Sequence, residues 1–435
     1  MKKNHVSVLV TIFMAAFFLG GCSYNNVYKV DLDDAGTPEN IIGLSDLYEE
    51  GAKNINVVFI HGMGYHPIEK ELDPKTGITY KYQNELAERL GFVEFAPIDD
   101  RVNRLKSLTL RDSQIIGGHI HRRVFSSPDN MRTLNFFTLS WGEANNHIKR
   151  TILELTDDGR FLENRNGENR EKGRAPVNRK LKQFINRSFS DPAIYLGDFG
   201  SEIRYVVAQG LARIEETIEA ESLDDIKTNK TVLLADSLGS AVTFDTVKTL
   251  MEFDTKESVE LSDYKDPVRR FSGLTTLIFM NANQLPLIDL GNLRGPAPDE
   301  SRDQWLEQYP CPSSSTDKGM PNIGGSNVPL SYGIKGFGQV RESVAKSDKS
   351  LSGGGVPTLQ VVAFSDPNDP LSYILTKRYK RHCESKNTKI INVVMSNARW
   401  DWAFLLANPG KAHASGFKVN KKALDLVVRG SKKVD

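Results

Sequence analysis

The sequence predicts an α/β fold, a mostly parallel sheet with helices on both faces. Two observations carry that prediction. The apolar runs of strand length are continuous rather than alternating, as expected of strands buried on both faces. Segments of helical pattern separate them, the order expected of a layered α/β architecture. Composition agrees. The chain has 435 residues, 39% hydrophobic and 26% charged, enough for one large domain or two ordinary ones. Lys plus Arg number 56 and Asp plus Glu 55. That balance offers no basic field for nucleic acid and no acidic tail.

The first residues stand apart. Lys2 and Lys3 form a short positive region, and Val6 to Leu19 is apolar but too short to span a bilayer comfortably. Leu19-Gly20-Gly21-Cys22 follows, and it resembles the lipobox of bacterial lipoproteins. The resemblance implies that residues 1–21 are a signal peptide, cleaved before Cys22. It also implies diacylation of the Cys22 sulfur and acylation of the new amino group. Ser23, a non-Asp residue after the cysteine, implies transfer to the outer membrane, on its periplasmic face. The alternatives are an ordinary signal peptide or an uncleaved anchor helix. Loss of Lys2 and Lys3 takes the formal charge from +1 to −1. Anchoring then falls to the acyl chains, at about 0.8 kcal/mol per buried CH₂. Cys311 and Cys383 are the remaining thiols. In an exported protein they can form one disulfide or stay two unrelated thiols.

Residues 22–54 are polar and irregular, a tether leading into the fold, and the domain proper runs over 55–430. Ile55 to Pro67, "INVVFIHGMGYHP", opens with a buried-type strand at Val57 to Ile60 and breaks at Gly62 and Gly64. "YKYQNELAERLGF" reads as a helix and "TLNFFTLSW" as a second strand. The stretch 142–191 is charged and broken by Gly and Pro, an inserted cap of solvated loop. Val206, Val207, Gly210, Leu211, Ile214 and Ile218 mark one face of an amphipathic helix. Strands follow at Val232 to Leu234, in "LTTLIFMNANQLPL", in "TLQVVAFSDPNDPLSY" and in "KIINVVMSN". A second insertion, loop-rich in Pro, Ser and Gly, covers 295–356. Its "YGIKGFG" has no strand leading into it and is not a phosphate loop. "NKKALDLVVRG" closes the chain as a helix.

Between the strand at 232–234 and the helix after it stands Ala235-Asp236-Ser237-Leu238-Gly239. A serine there can simply cap the helix. It can also be a nucleophile, which needs a base for its proton and donors for an oxyanion. A sharp strand-to-helix turn exposes the side chain and leaves backbone N–H groups free at a helix N-terminus. The residues two before and two after must be small, and here they are Ala235 and Gly239. This pentapeptide resembles the nucleophile elbow of the α/β-hydrolase superfamily. Two departures stand out: Ala235 where Gly is usual and Asp236 where His is frequent. "VVFIHGMG" resembles that superfamily's His-Gly turn. By that match His61, Gly62 and Gly64 shape the turn, and the Met63 and Leu238 N–H groups form the oxyanion hole.

The resemblance places the acid and then the histidine after the serine. His382 and His413 are the two histidines beyond Ser237. His382 sits in the charged "KRYKRHCESK". His413 sits in "NPGKAHASGF", after the last strand, where the resemblance puts the catalytic base. For the acid, "SDPNDPL" offers Asp369 first and Asp366 second, with Asp289 a more distant choice. That loop can also bind a cation. His119 and His121 in "GGHIHRR" share one strand face, but no further ligand cluster accompanies them, so surface or packing roles outweigh a metal. The expectation is a serine hydrolase, an esterase or lipase without cofactor or metal, acting on an ester or lipid and bound to a membrane through Cys22. A thioesterase or amidase, or a non-catalytic envelope protein on the same scaffold, are the alternatives.

Overall fold

The computed structural model describes residues 26–32, 36–64, 68–95, 106–154, 185–221, 228–251, 259–292, 301, 332–347, 358–377, 379–380, 384, 387–396, 413 and 420–431. In chain order the elements are β1 (Asn26–Val30), α1 (Leu44–Glu49), β2 (Asn54–Ile60), α2 (Ile68–Glu71), α3 (Ile78–Arg89), β3 (Val93–Glu94), β4 (Lys106–Thr109), β5 (Ile116–Ser126), β6 (Thr133–Ser140) and α4 (Gly142–Glu154). A π-helical turn (Ile185–Phe189) leads into α5 (Ser190–Leu196) and α6 (Gly200–Glu221). Then come β7 (Asn229–Asp236), α7 (Leu238–Met251), α8 (Ser262–Leu274), β8 (Thr275–Asn281), α9 (Leu285–Asn292), α10 (Tyr332–Ser347), β9 (Leu359–Ser365), β10 (Thr388–Ser396) and α11 (Lys421–Arg429).

Among the described residues the strands form one sheet in the order β1-β10-β9-β8-β7-β2-β6-β5-β3, with β4 paired to β5. The six strands from β10 to β6 run parallel, while β1, β5, β3 and β4 pair antiparallel. The fold is thus α/β, with a mostly parallel mixed sheet. Alternation along the central strands sends Val58, Ile60, Leu233 and Ala235 into one core and Val57, Phe59, Val232 and Leu234 into the other. Helices α6, α7, α8 and α10 cover the first face; α1, α3 and α11 cover the second. The predicted stripe on α6 is buried throughout. Helix α11 starts where predicted, with the Asn420 side chain accepting the Ala423 N–H at 3.0 Å as its cap.

From β2 the chain builds β3 to β6 on one side, then returns to pair β7 on the other and steps outward through β8, β9 and β10. The order reverses beside β2. In open α/β sheets the crevice at the carboxyl ends of the strands, at such a reversal, is where ligands bind.

Three segments differ from expectation. The tether predicted over 22–54 includes folded structure: β1 pairs with β10, and Leu44, Leu47 and Tyr48 of α1 are buried. Five residues without clear alternation, NVYKV, do not stand out from a polar surround. Ile41 and Ser431 exchange bonds of 2.8 and 2.9 Å, so the two ends of the described chain are joined. Within the insertion predicted over 295–356, residues 332–347 form α10, with Ile334 and Phe337 fully buried against α7. Tertiary packing there overrides the poor helix propensity of glycine. Of the cap expected over 142–191, α4, the π-helical turn and the start of α5 are ordered helix, and 155–184 lie outside the described residues. Among the described residues no helix is long and apolar enough to cross a membrane.

Candidate active site

Strand β7 ends at Asp236 and α7 begins at Leu238, so Ser237 alone makes the turn. Its φ is +52°, a left-handed conformation that costs a non-glycine residue on the order of 1–3 kcal/mol and persists where the surroundings enforce it. Here they do. The Ser237 N–H donates to the Asn281 carbonyl at 2.7 Å, and the Ser237 carbonyl accepts from the Ser240 hydroxyl at 2.7 Å. Leu238 opens α7, so its N–H belongs to the first turn, which has no intrahelical acceptor.

The loop after β2 lies directly against this turn. A Cβ on Gly62 would come within 2.7 Å of both the Asp236 carbonyl oxygen and the Ser237 Cβ, and one on Gly239 within 2.5 Å of the His61 carbonyl oxygen. Only glycine allows the two backbones to approach so closely. His61 is buried and holds the loop's shape. The Trp141 N–H donates to His61 Nε2 at 3.1 Å, which leaves the proton on Nδ1, donated to the Gly62 carbonyl at 2.7 Å. The Trp141 indole N–H donates to the His61 carbonyl at 3.0 Å, and the two rings stack 5.3 Å apart. Met63 is buried and belongs to the core on the α6–α7 face. Gly64 N–H donates to Asp191 Oδ2 at 2.5 Å, and Asp191 forms an ion pair with Lys149. Both side chains of that pair are buried, and burial holds the Lys149 ammonium below its usual range, against the pull of Asp191.

The loop after β9 supplies the carboxylates. Asp366 Oδ1 accepts from the Asn368 N–H at 2.8 Å and its side-chain amide at 3.1 Å, so this carboxylate builds the turn. Asp369 Oδ1 accepts from the Leu371 N–H at 2.9 Å, while Oδ2 lies 2.7 Å from His413 Nδ1. His413 Nε2 lies 2.7 Å from Ser237 Oγ. The Asp369 side chain is 0% exposed and that of His413 14%. Of the two carboxylates weighed from the sequence, Asp369 meets the ring. Asp289 instead accepts the Tyr379 hydroxyl at 2.8 Å. His382, Cys22, Cys311 and Cys383 lie outside the described residues.

Asp236, the residue before the serine, turns across the sheet and accepts the Asn281 side-chain amide at 2.6 Å. Its charge adds to the burial that pushes the Tyr82 hydroxyl well above its ordinary range. His119 lies 3.5 Å from the Ser107 hydroxyl and 3.8 Å from Glu143. Burial first, and Arg123 second, lower His121 to about 4, so it is neutral. No group of three or more His, Cys, Asp or Glu able to hold a metal occurs among the described residues.

Several residues were not picked out from the sequence. Gln284 is buried, with Nε2 3.5 Å from His413 Nε2 and with no hydrogen-bond partner for Oε1 among the described residues. Its signal was positional: it follows β8 on the same carboxyl edge. Asp191 and Lys149 carry no sequence signal, since nothing local ties them to Gly64. The assembled geometry is a hydroxyl, an imidazole and a buried carboxylate in line, at the switch point of the sheet. That arrangement can take a proton from an alcohol at neutral pH and stabilise the resulting imidazolium. No protein-family model matches the chain, and no curated protein is significantly similar to it.

Proposed function

We propose that the protein is a serine hydrolase of the α/β-hydrolase type that cleaves a carboxylic ester or lipid acyl bond, held on a membrane of the cell envelope through acylated Cys22. The observation that carries the chemistry is the unbroken line Ser237 Oγ–His413 Nε2 and His413 Nδ1–Asp369 Oδ2, each 2.7 Å, on a strained strand-to-helix turn. Ser237 attacks the acyl carbonyl while His413 Nε2 takes its proton. The Met63 and Leu238 N–H groups hold the oxyanion. His413 then returns the proton to the leaving group as the acyl-enzyme forms. Water, deprotonated by the same ring, releases the acid and restores the serine. Asp369 keeps the ring oriented and balances its positive charge. Thioesters and amides are the other acyl substrates this machinery can serve. The placement of Ser237 where the strand order reverses supports the reading, as does the backbone contact between the two glycine turns.

A serine-directed fluorophosphonate probe is the direct test. It should label the wild-type protein and leave Ser237→Ala unlabelled, and ester turnover should fall by about 10⁶, the loss seen when a serine enzyme loses its nucleophile. Equal labelling of both proteins rejects the assignment. A panel of p-nitrophenyl esters of rising chain length then separates an esterase from a lipase.

A further inference from the structure

The described chain enters the sheet, at Asn26 of β1, on the rim that carries Ser237. We infer that the anchor turns this site toward the bilayer and that the substrate is an amphipathic ester resident in that same membrane. The inference rests on the proposed function and adds the direction from which substrate arrives.

The parallel strands carry their functional loops at their carboxyl ends: Ser237 after β7 and Asp369 after β9. Strand β1 runs antiparallel to β10, with Asn26 opposite Ser396 and Val30 opposite Val393. Ser396 is the last residue of β10, so the chain enters β1 at the carboxyl rim. The join to the site is local as well. The Asn368 side-chain amide, one residue before Asp369, reaches the Ser396 hydroxyl at 3.5 Å. Four inter-strand steps separate β1 from β7, about 19 Å across the sheet. Twist rotates β1 against β7 over those steps but leaves both ends on one rim. The opposite rim is a strand length away, about 26 Å for the eight residues of β7. Cys22 precedes Asn26 by four residues, a reach of at most about 14 Å. The tether is therefore too short to carry the membrane surface around to the far rim.

The rim also presents apolar side chains to solvent. Tyr373 and Ile374, 39% and 52% exposed, follow Asp369, and the Tyr373 N–H donates to the Asn283 carbonyl at 2.9 Å beside Gln284. Ile185 and Phe189, 44% and 45% exposed, precede Asp191, which holds Gly64. Two apolar projections thus lie within a few residues of Asp369 and Asp191, and although Met131 and Val93 are exposed at the opposite rim, the short tether keeps the membrane on the site side. Such groups gain by entering the interface between headgroups and acyl chains.

The test uses the full acylated protein in vesicles of phosphatidylethanolamine and phosphatidylglycerol doped with a diazirine-bearing phosphatidylcholine. After illumination, mass spectrometry should find cross-linked lipid on peptides holding residues 185–189 and 371–374. Cross-links confined to peptides around Asn54, Asn229 and Leu359, on the opposite rim, overturn the inference. A second protein carries a flexible Gly/Ser linker of about 20 residues, roughly 25 Å in r.m.s. span, between Tyr24 and Asn25. It should hydrolyse a soluble short-chain ester like wild type but a vesicle-resident lysophospholipid ester about tenfold or more slowly, because its site is no longer held at the surface. Equal vesicle rates also overturn the inference. Hydrolysis of the soluble ester with far-rim cross-links leaves the chemistry standing and the orientation rejected. Site-rim cross-links without any hydrolysis do the reverse. A Cys22 found unacylated by mass spectrometry removes the anchor, and this inference with it.

Discussion

At Asp369 and Asp366 two carboxylates three residues apart have separate work. Asp369 faces His413 Nδ1, and Asp366 closes its own turn onto Asn368. Asp369→Asn should reduce kcat by about 10⁴, the scale found when the orienting acid of such a triad becomes an amide and the imidazole takes the wrong tautomer. Asp366→Asn should leave kcat within a few fold and cost about 1 kcal/mol of stability through its weakened turn bonds. Paired kinetics and thermal melts of the two variants check the division. A larger kinetic loss from Asp366→Asn would reverse it. The choice between these residues was not settled by their neighbours in sequence, because both stand in the same six-residue turn. Only the direction of each side chain separates them. His413 was legible for a simpler reason: it is one of two histidines after Ser237, and the other sits among charged residues.

Two pieces of secondary structure carry buried charge, one of them tied to the site. The π-helical turn and α5 deliver Asp191 to the loop after β2, where it holds Gly64 N–H and pairs with Lys149 from α4. Removing one member of a buried ion pair leaves the other charge uncompensated, a loss of about 3–5 kcal/mol. Asp191→Ala should therefore lower Tm and, in protein that still folds, lower kcat more than it raises KM, since the loop that carries Met63 loses its fixing point. Lys149→Met tests the charge alone, because it keeps Asp191 as an acceptor for Gly64. Helix α6 offers a pH effect. Burial, opposed by Arg270, raises Glu215 from 4.5 to about 7. The folded state holds that proton more tightly than the unfolded chain, so the contribution to stability is complete below pH 4.5 and is lost as pH rises through about 7. Glu215→Gln should gain on the order of 2 kcal/mol over wild type at pH 8 and little at pH 4, read by denaturant melts at both. An equal effect at the two values would mean that folding leaves the proton affinity of Glu215 unchanged.

Across the whole molecule, what the sequence made legible was local. The apolar run from Val232 to Leu234, the small residues at 235 and 239 and the polar break after Phe364 each declare themselves within a few residues. What was not legible required partners far along the chain. Helix α10 is glycine-rich and becomes a helix because α7 and α8 receive Ile334 and Phe337. Strand β1 is five residues long and gains its pattern only beside β10. The antiparallel pairing of β5 with β6 extends the edge of the same sheet in a way that no crossover signal announced. That same pairing of β1 with β10 has a consequence for biosynthesis. Strand β1 finds its neighbour more than 360 positions later, and Ile41 waits for Ser431, 390 residues on. A ribosome still translating the middle of the gene has released a β1 with nothing to pair with. Closure of that sheet edge must then wait until β10 has left the ribosome, so the nascent chain carries an open edge through most of its synthesis.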